Sequence, residues 1–97
     1  MNRLFVYGTL MDESVQKKVI GRVVEFENDT LSGYFKSKVV INNNTYPILV
    51  KGQGEIAGRV LLIDEKELEK IDEYETKAYR RIEKELKSGN NAWVYVK

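Results

Sequence analysis

Short apolar runs rich in β-branched and aromatic residues recur along nearly the whole chain, each closed by glycine, asparagine or aspartate, and they commit it to a fold built on a sheet. Leu4 to Tyr7 ends at Gly8. Val23, Val24 and Phe26 end at the polar turn Glu27-Asn28-Asp29; Leu31 to Phe35 and Lys38 to Ile41 follow, with Asn42-Asn43-Asn44 as the turn before Thr45 to Val50. Pro47 has no N–H to give to a ladder, so its run is an edge strand or carries a bulge. Lys51-Gly52-Gln53-Gly54 reads as a further turn and Ala57 to Ile63 as a strong strand. Tyr79 to Leu86 and Ala92 to Val96 form a hairpin around Ser88-Gly89-Asn90-Asn91. Alternation in the last strand puts Trp93 and Tyr95 on one face and Val94 and Val96 on the other.

Helical spacing occurs in two places. Asp12 caps a short helix through roughly Val19, with Val15, Val19 and Ile20 on one face and Gly21 closing it. Asp64, followed three residues later by Glu67, resembles a capping box and opens a second helix that carries Leu68 and Ile71. The fold class is therefore α+β: a small mixed sheet of about five to seven strands that curls toward a barrel, with two short helices. Ninety-seven residues without linker or low-complexity tract are read as one domain over 1–97.

Composition narrows the chemistry sharply. The chain has no cysteine and no histidine, which removes thiolate nucleophiles, Ser-His-Asp triads and the usual zinc and haem ligands; neither a metal nor a cofactor is expected. Catalysis must then use carboxylates, hydroxyls, amines or backbone. A net charge of +1 gives no long-range field to gather polyanions or anionic lipid, so the expected partner is a small molecule rather than nucleic acid or a membrane. Behind the single basic Arg3, the apolar run is too short for a signal segment or a membrane span, and a cytoplasmic location is expected.

Two features carry candidate chemistry. At 100° per residue, Glu75 falls about 20° from Leu68 and about 40° from Ile71, on the face those residues bury, while Glu65, Glu67, Lys70 and Glu73 fall where water is available. If the helix runs that far, partial desolvation and the negative helix end both raise the carboxyl pKa, as a proton shuttle near neutral pH requires. If it frays after Ile71, Glu75 is one more solvated acid. The second feature is Tyr7-Gly8-Thr9-Leu10. A glycine directly after an apolar strand permits positive φ and close approach of a ligand, leaving the N–H groups of Gly8, Thr9 and Leu10 for an anion or polarised carbonyl. The plainer reading is a strand that ends at a turn, with Tyr7 in the core.

Taken together, several segments give the chain a resemblance to the gamma-glutamylcyclotransferase-like family, in the branch of gamma-glutamylamine cyclotransferase and the butirosin-type gamma-glutamyl cyclotransferase. They are Val6-Tyr7-Gly8-Thr9-Leu10, Tyr46-Pro47, Gly58-Arg59-Val60, Ile71-Asp72 with Tyr74-Glu75, Tyr79 with Arg81, and Ala92-Trp93-Val94-Tyr95-Val96. The resemblance implies that Glu75 is the catalytic acid/base and that Tyr7, Gly8, Thr9 and Leu10 hold the glutamyl portion. Tyr79 and Tyr95 match aromatic positions that line or approach the substrate pocket. Arg81 either meets the glutamyl α-carboxylate or pairs with a neighbouring Glu, and Asp72 is a structural acid. The implied reaction has the α-amine of a gamma-glutamyl amide attack its own side-chain carbonyl, giving 5-oxoproline and a free amine or amino acid. Thr76 departs from the pattern, because glycine commonly follows the family's glutamate. Two other functions compete. One is a pocket that binds a small carboxylated metabolite without turnover; the other is nucleic-acid binding through Arg80, Arg81, Lys84 and Lys87 beside Trp93 and Tyr95, opposed by the interleaved Glu83 and Glu85.

Overall fold

The computed structural model describes the backbone of residues 1–97 and every side chain except that of Lys77. The elements run β1 (Asn2–Val6), a 3-10 turn (Thr9–Met11), α1 (Glu13–Val19), β2 (Phe26–Ile41) and β3 (Asn44–Ile63). They continue with α2 (Glu65–Glu75), a second 3-10 turn (Thr76–Ala78), β4 (Arg80–Glu85) and β5 (Asn91–Val96). The five strands form one mixed sheet in the order β2-β3-β1-β5-β4, which is the α+β half-barrel the sequence points to. Only β1 and β5 pair in parallel, Leu4 opposite Trp93 and Phe5 opposite Val94. No helix among the described residues is long and apolar enough to cross a membrane.

Two expected turns are strand instead. Glu27-Asn28-Asp29 lies within β2, paired with Arg59 and its neighbours, and Lys51-Gly52-Gln53-Gly54 lies within β3. Runs that read as separate strands are thereby fused into a long two-stranded ribbon, and the count is five, the lower end of the expected five to seven. The glycines at 52 and 54 serve close approach, not a turn: a Cβ at Gly54 would stand 2.6 Å from the Tyr34 carbonyl oxygen, and one at Gly52 2.5 Å from the Phe35 ring. The ribbon bends where its register shifts between Ser32 and Tyr34, at Gly33 with φ of +87°. Beyond that bend β3 has no second neighbour, since β1 pairs only with residues 59–63, so Pro47 occupies the edge position its chemistry requires. Asn42 and Asn43, both at positive φ, make the tight turn at the tip.

Alternation along the strands divides the apolar side chains between two cores. Leu4 and Val6 of β1, Leu61 and Ile63 of β3 and Tyr95 of β5 face the helices, where they pack with Leu10, Ile20, Leu68 and Ile71. Phe5, Val60, Val94 and Val96 face the other way, into the curl, with Leu31, Tyr34, Leu49 and Leu86. Each fully buried aliphatic side chain contributes roughly 1.5–3 kcal/mol, so both faces of the central strand β1 fix its position. The curl brings the β4–β5 turn back to the far edge: Lys87 N–H donates to the Thr30 carbonyl at 2.8 Å, and Ser88 hydrogen-bonds Asp29.

Both helices start as their sequences predict. Asp12 accepts from Ser14 N–H at 2.8 Å, and Asp64 and Glu67 form a reciprocal capping box. Glu67 departs from its expected solvated place. It is only 7% exposed, and Arg22 binds its carboxylate with two hydrogen bonds of 2.6 and 2.9 Å.

Candidate active site

The end of β1, the Thr9–Met11 turn, the tip of the β2–β3 ribbon and the junction of α2 with β4 enclose a cavity of ≈ 510 Å³. All seven candidate site residues line it: Tyr7, Gly8, Thr9, Leu10, Glu75, Tyr79 and Tyr95. Three segments far apart in sequence therefore converge on one space.

Glu75 is the last residue of α2, so the helix does not fray after Ile71. Leu68 and Ile71, on the same face, are fully packed against the sheet and carry Glu75 inward with them. Burial pushes its carboxyl pKa from 4.5 up to about 7. Among the described residues no side chain hydrogen-bonds to that carboxylate. Asp72, one turn earlier, has the opposite environment. Burial opposes its charge, but the Arg81 guanidinium, at 2.6 and 2.9 Å, and the Tyr95 hydroxyl, at 2.5 Å, outweigh it and hold the carboxyl below its ordinary value. Two carboxyls on one helix end are thus driven apart in proton affinity, one locked as a structural anion and one poised to exchange a proton.

The loop after β1 is held by its own backbone. Met11 N–H donates to the Gly8 carbonyl and Asp12 N–H to the Thr9 carbonyl, each at 3.0 Å. Those bonds use carbonyls, and among the described hydrogen bonds the N–H groups of Gly8, Thr9 and Leu10 have no protein acceptor. Gly8 has φ of −134°, so the permission for positive φ goes unused. What glycine supplies here is room, because a Cβ at this position would meet no heavy atom within 4 Å and would project into open space.

The tyrosines line the cavity with their hydroxyl protons already engaged. Tyr7 donates to the Tyr95 carbonyl at 3.0 Å, Tyr79 to the Pro47 carbonyl at 2.7 Å, and Tyr95 to Asp72. Burial raises all three phenol pKa values, so they stay neutral, and they present ring surface and an acceptor oxygen to the cavity. Arg81 is committed to Asp72 rather than to a Glu, and its guanidinium lies 4.6 Å from the Trp93 ring centre; it does not line the cavity. Of the other basic residues weighed for nucleic acid, Lys87 pairs with Glu55 at 2.9 Å and Lys84 lies over the Tyr34 ring.

Several further residues join the site through contacts distant in sequence. Thr45, Tyr46 and Pro47 reach the cavity only because the ribbon bends over it, a consequence of long-range pairing. Tyr74 stands beside Glu75, and its hydroxyl lies 3.1 Å from that of Thr9. Gln16 and Arg59 grip the Thr9–Met11 turn from behind, at the carbonyls of Leu10 and Met11. Gln16 was findable, since it shares the i, i+3, i+4 face of Val19 and Ile20, where a polar residue must have partners.

Thr76, directly after Glu75, adopts φ 61° and ψ −165°, a backbone region that is nearly exclusive to glycine. This accounts physically for the glycine common at that position and makes Thr76 a strained substitute. Thr76→Gly should relieve about 1–3 kcal/mol of strain and give back roughly half to one through the freer unfolded chain, a net gain near ~1 kcal/mol. Urea denaturation measures it; a variant no more stable than the wild type would show that the loop tolerates threonine without strain.

Comparison with known proteins agrees with this fold. The family described as gamma-glutamyl cyclotransferase, AIG2-like, matches residues 4–97. AIG2-like protein C of Arabidopsis thaliana is 36% identical over 80 residues, covering 80% of this chain and 45% of the relative. AIG2-like protein B of the same plant is 27% identical over 94 residues, covering 95% and 54%. The chain thus spans about half the length of the curated relatives it matches. Among solved structures, one determined in solution from Arabidopsis thaliana superimposes with a TM-score of 0.82 at 24% identity, covering 98% of this chain and 61% of that one. An uncharacterized protein from Pyrococcus horikoshii gives 0.69 at 26% identity, covering 99% and 77%. With the match running from Leu4 to the last residue, the chain belongs to the AIG2-like gamma-glutamyl cyclotransferase family.

Proposed function

We propose that this protein cleaves a gamma-glutamyl amide by intramolecular attack of the glutamyl α-amine, releasing 5-oxoproline and a free amine or amino acid. The observation that carries the reading is the placement of Glu75 and the Tyr7–Leu10 loop on one cavity, with the carboxyl pKa raised toward that of the group it must deprotonate.

A peptide α-ammonium titrates at about 7.7–8.0, and that of a gamma-glutamyl group, beside its own free carboxylate, is held higher, so its proton moves uphill to a carboxylate and a raised carboxyl pKa lowers the cost. With the carboxyl pKa at about 7 in place of the ordinary 4.5, that cost is smaller by roughly 300-fold. Glu75 takes a proton from the α-ammonium, and the freed amine nitrogen attacks the γ-carbonyl carbon. A C–N bond forms, closing a five-membered ring, and the carbonyl oxygen becomes an oxyanion that the N–H groups at Gly8, Thr9 and Leu10 can receive. Protonated Glu75 then gives its proton to the leaving nitrogen and the original amide C–N bond breaks; the restored carboxylate takes the second proton from the ring nitrogen and passes it to the released amine, which leaves as the ammonium while Glu75 ends as the carboxylate. Substrate and products balance without an added reactant. Because nucleophile and electrophile share one molecule, holding the glutamyl chain in a folded conformation supplies much of the acceleration.

The test is direct. Purified protein incubated with gamma-glutamyl amino acids and gamma-glutamyl amines should release 5-oxoproline, read by chromatography. Absence of product across both classes, with glutamate or 5-oxoproline still bound, would convert the reading to a binding pocket without turnover.

A further inference from the structure

We infer that Gln16 is a positioning residue for the oxyanion-binding loop, acting through the peptide plane between Leu10 and Met11. This role rests on the cyclotransferase reading.

Gln16 is 1% exposed and lies on α1, outside the cavity lining, among Leu10, Ile20 and Val24. A primary amide at such depth is unfavourable unless both its ends are bonded, and both are. Its Nε2 donates to the Leu10 carbonyl at 2.8 Å, and its Oε1 accepts from Val24 N–H at 3.2 Å. The backbone of the same residue is fixed as well, since its N–H donates to Asp12 and its carbonyl accepts from Ile20 at 2.7 Å.

The geometry transmits that grip to the loop. A peptide unit is planar, so holding the Leu10 carbonyl also fixes the Met11 N–H, which points the opposite way and donates to the Gly8 carbonyl. That bond orients the Gly8–Thr9 peptide in turn, and the other end of this plane is the Thr9 N–H, on the side where Gly8 and Thr9 line the cavity. One buried amide therefore sets two successive peptide planes. Arg59 holds the next carbonyl, that of Met11, at 3.1 Å, so the turn is clamped from β3 too, but from a partly exposed side chain. Loss of the Gln16 amide leaves the Leu10 carbonyl buried without its donor, and the turn must rotate to find one. An oxyanion donor acts only when its N–H meets the oxygen as charge develops, so rotation lowers the rate of the chemical step more than it lowers substrate binding.

Gln16→Met keeps length and volume and removes both side-chain hydrogen bonds; Ile56→Ala, in the core inside the curl, serves as a destabilised control remote from the loop. Rates are taken per folded molecule, with the folded fraction measured by circular dichroism, using the gamma-glutamyl compound that the wild type turns over. Gln16→Met is expected to lower kcat by about 10- to 100-fold with KM changed less than about threefold, and to leave the acid limb of the pH profile near pH 7. Ile56→Ala is expected to retain kcat. A Gln16→Met kcat within about threefold of wild type, a loss confined to KM, or an equal loss in Ile56→Ala each overturns the positioning role while leaving the cyclotransferase reading intact. A wild type without turnover overturns both.

Discussion

Glu75→Gln is expected to reduce 5-oxoproline formation by about a thousandfold while the protein stays folded, within the 10²–10⁴ range that one positioned acid/base supplies. Glutamine matches glutamate in shape and fits the same half-buried site, but it can neither take the ammonium proton nor return one to the leaving nitrogen. In the wild type, kcat/KM should rise with pH through about 7, because the free enzyme must present Glu75 as the carboxylate. The variant's residual rate should lose that limb. A variant within tenfold of wild type, or an unchanged limb, would mean that another group moves the proton.

The same substitution has a stability signature of predictable sign. Glu75 has a higher pKa folded than unfolded, so between about 4.5 and about 7 the native state binds the extra proton, and wild-type stability falls as pH rises through that window. Glutamine has no such dependence. Relative to wild type, Glu75→Gln should therefore gain stability on going from pH 4 to pH 8, the opposite of its effect on turnover. A residue that loses activity by unfolding cannot give this crossed pattern. Asp72 has the reverse linkage, its carboxyl held low by Arg81 and Tyr95, so stability drawn from that network is lost as pH falls.

The reading of the sequence succeeded where one local rule decides the outcome. The apolar spacing of Leu68, Ile71 and Glu75 placed the acid on the buried face, and the capping residues Asp12 and Asp64 fixed both helix starts. Alternation in Ala92–Val96 separated Trp93 and Tyr95 from Val94 and Val96, as the two cores show. It failed where a residue's meaning depends on a partner distant in sequence. Gly52 and Gly54 read as a turn because glycine usually punctuates, yet they are small so that Phe35 and the Tyr34 carbonyl can approach from the facing strand. Asp29 lies in strand while its carboxylate accepts from Ser88 across the curl, a contact no local window contains. Glu67 looked solvated on the helical wheel because Arg22, which neutralises it, belongs to another element. The Tyr79 hydroxyl finds its partner in the Pro47 carbonyl at the ribbon tip, 32 residues away in sequence.

Gly58→Ala is expected to destabilise the protein by about 3 kcal/mol, at the upper end of what one added methyl costs in a packed interior. A Cβ there would stand 2.4 Å from the Val6 carbonyl oxygen and 2.7 Å from Phe5 Cζ. Neither can move aside cheaply. Phe5 is buried among Leu31, Val60 and Val94, and the Val6 carbonyl belongs to the central strand, held by β3 on one side and β5 on the other. Relief must then come from β1 and β3 separating near Val6 and Arg59, which is the end of β1 that leads into Tyr7 and Gly8. Stability and site geometry are coupled at this one contact. In a domain of this size, with total stability of about 5–15 kcal/mol, the loss should lower Tm by roughly 12–24 °C, and the urea midpoint should fall with little change in slope. The folded fraction of the variant should also turn substrate over more slowly, because the displaced strand end carries the loop that faces Glu75. A Tm within about 3 °C of wild type would show that the sheet yields at Val6, and the rigid placement of the loop by β1 would have to be given up.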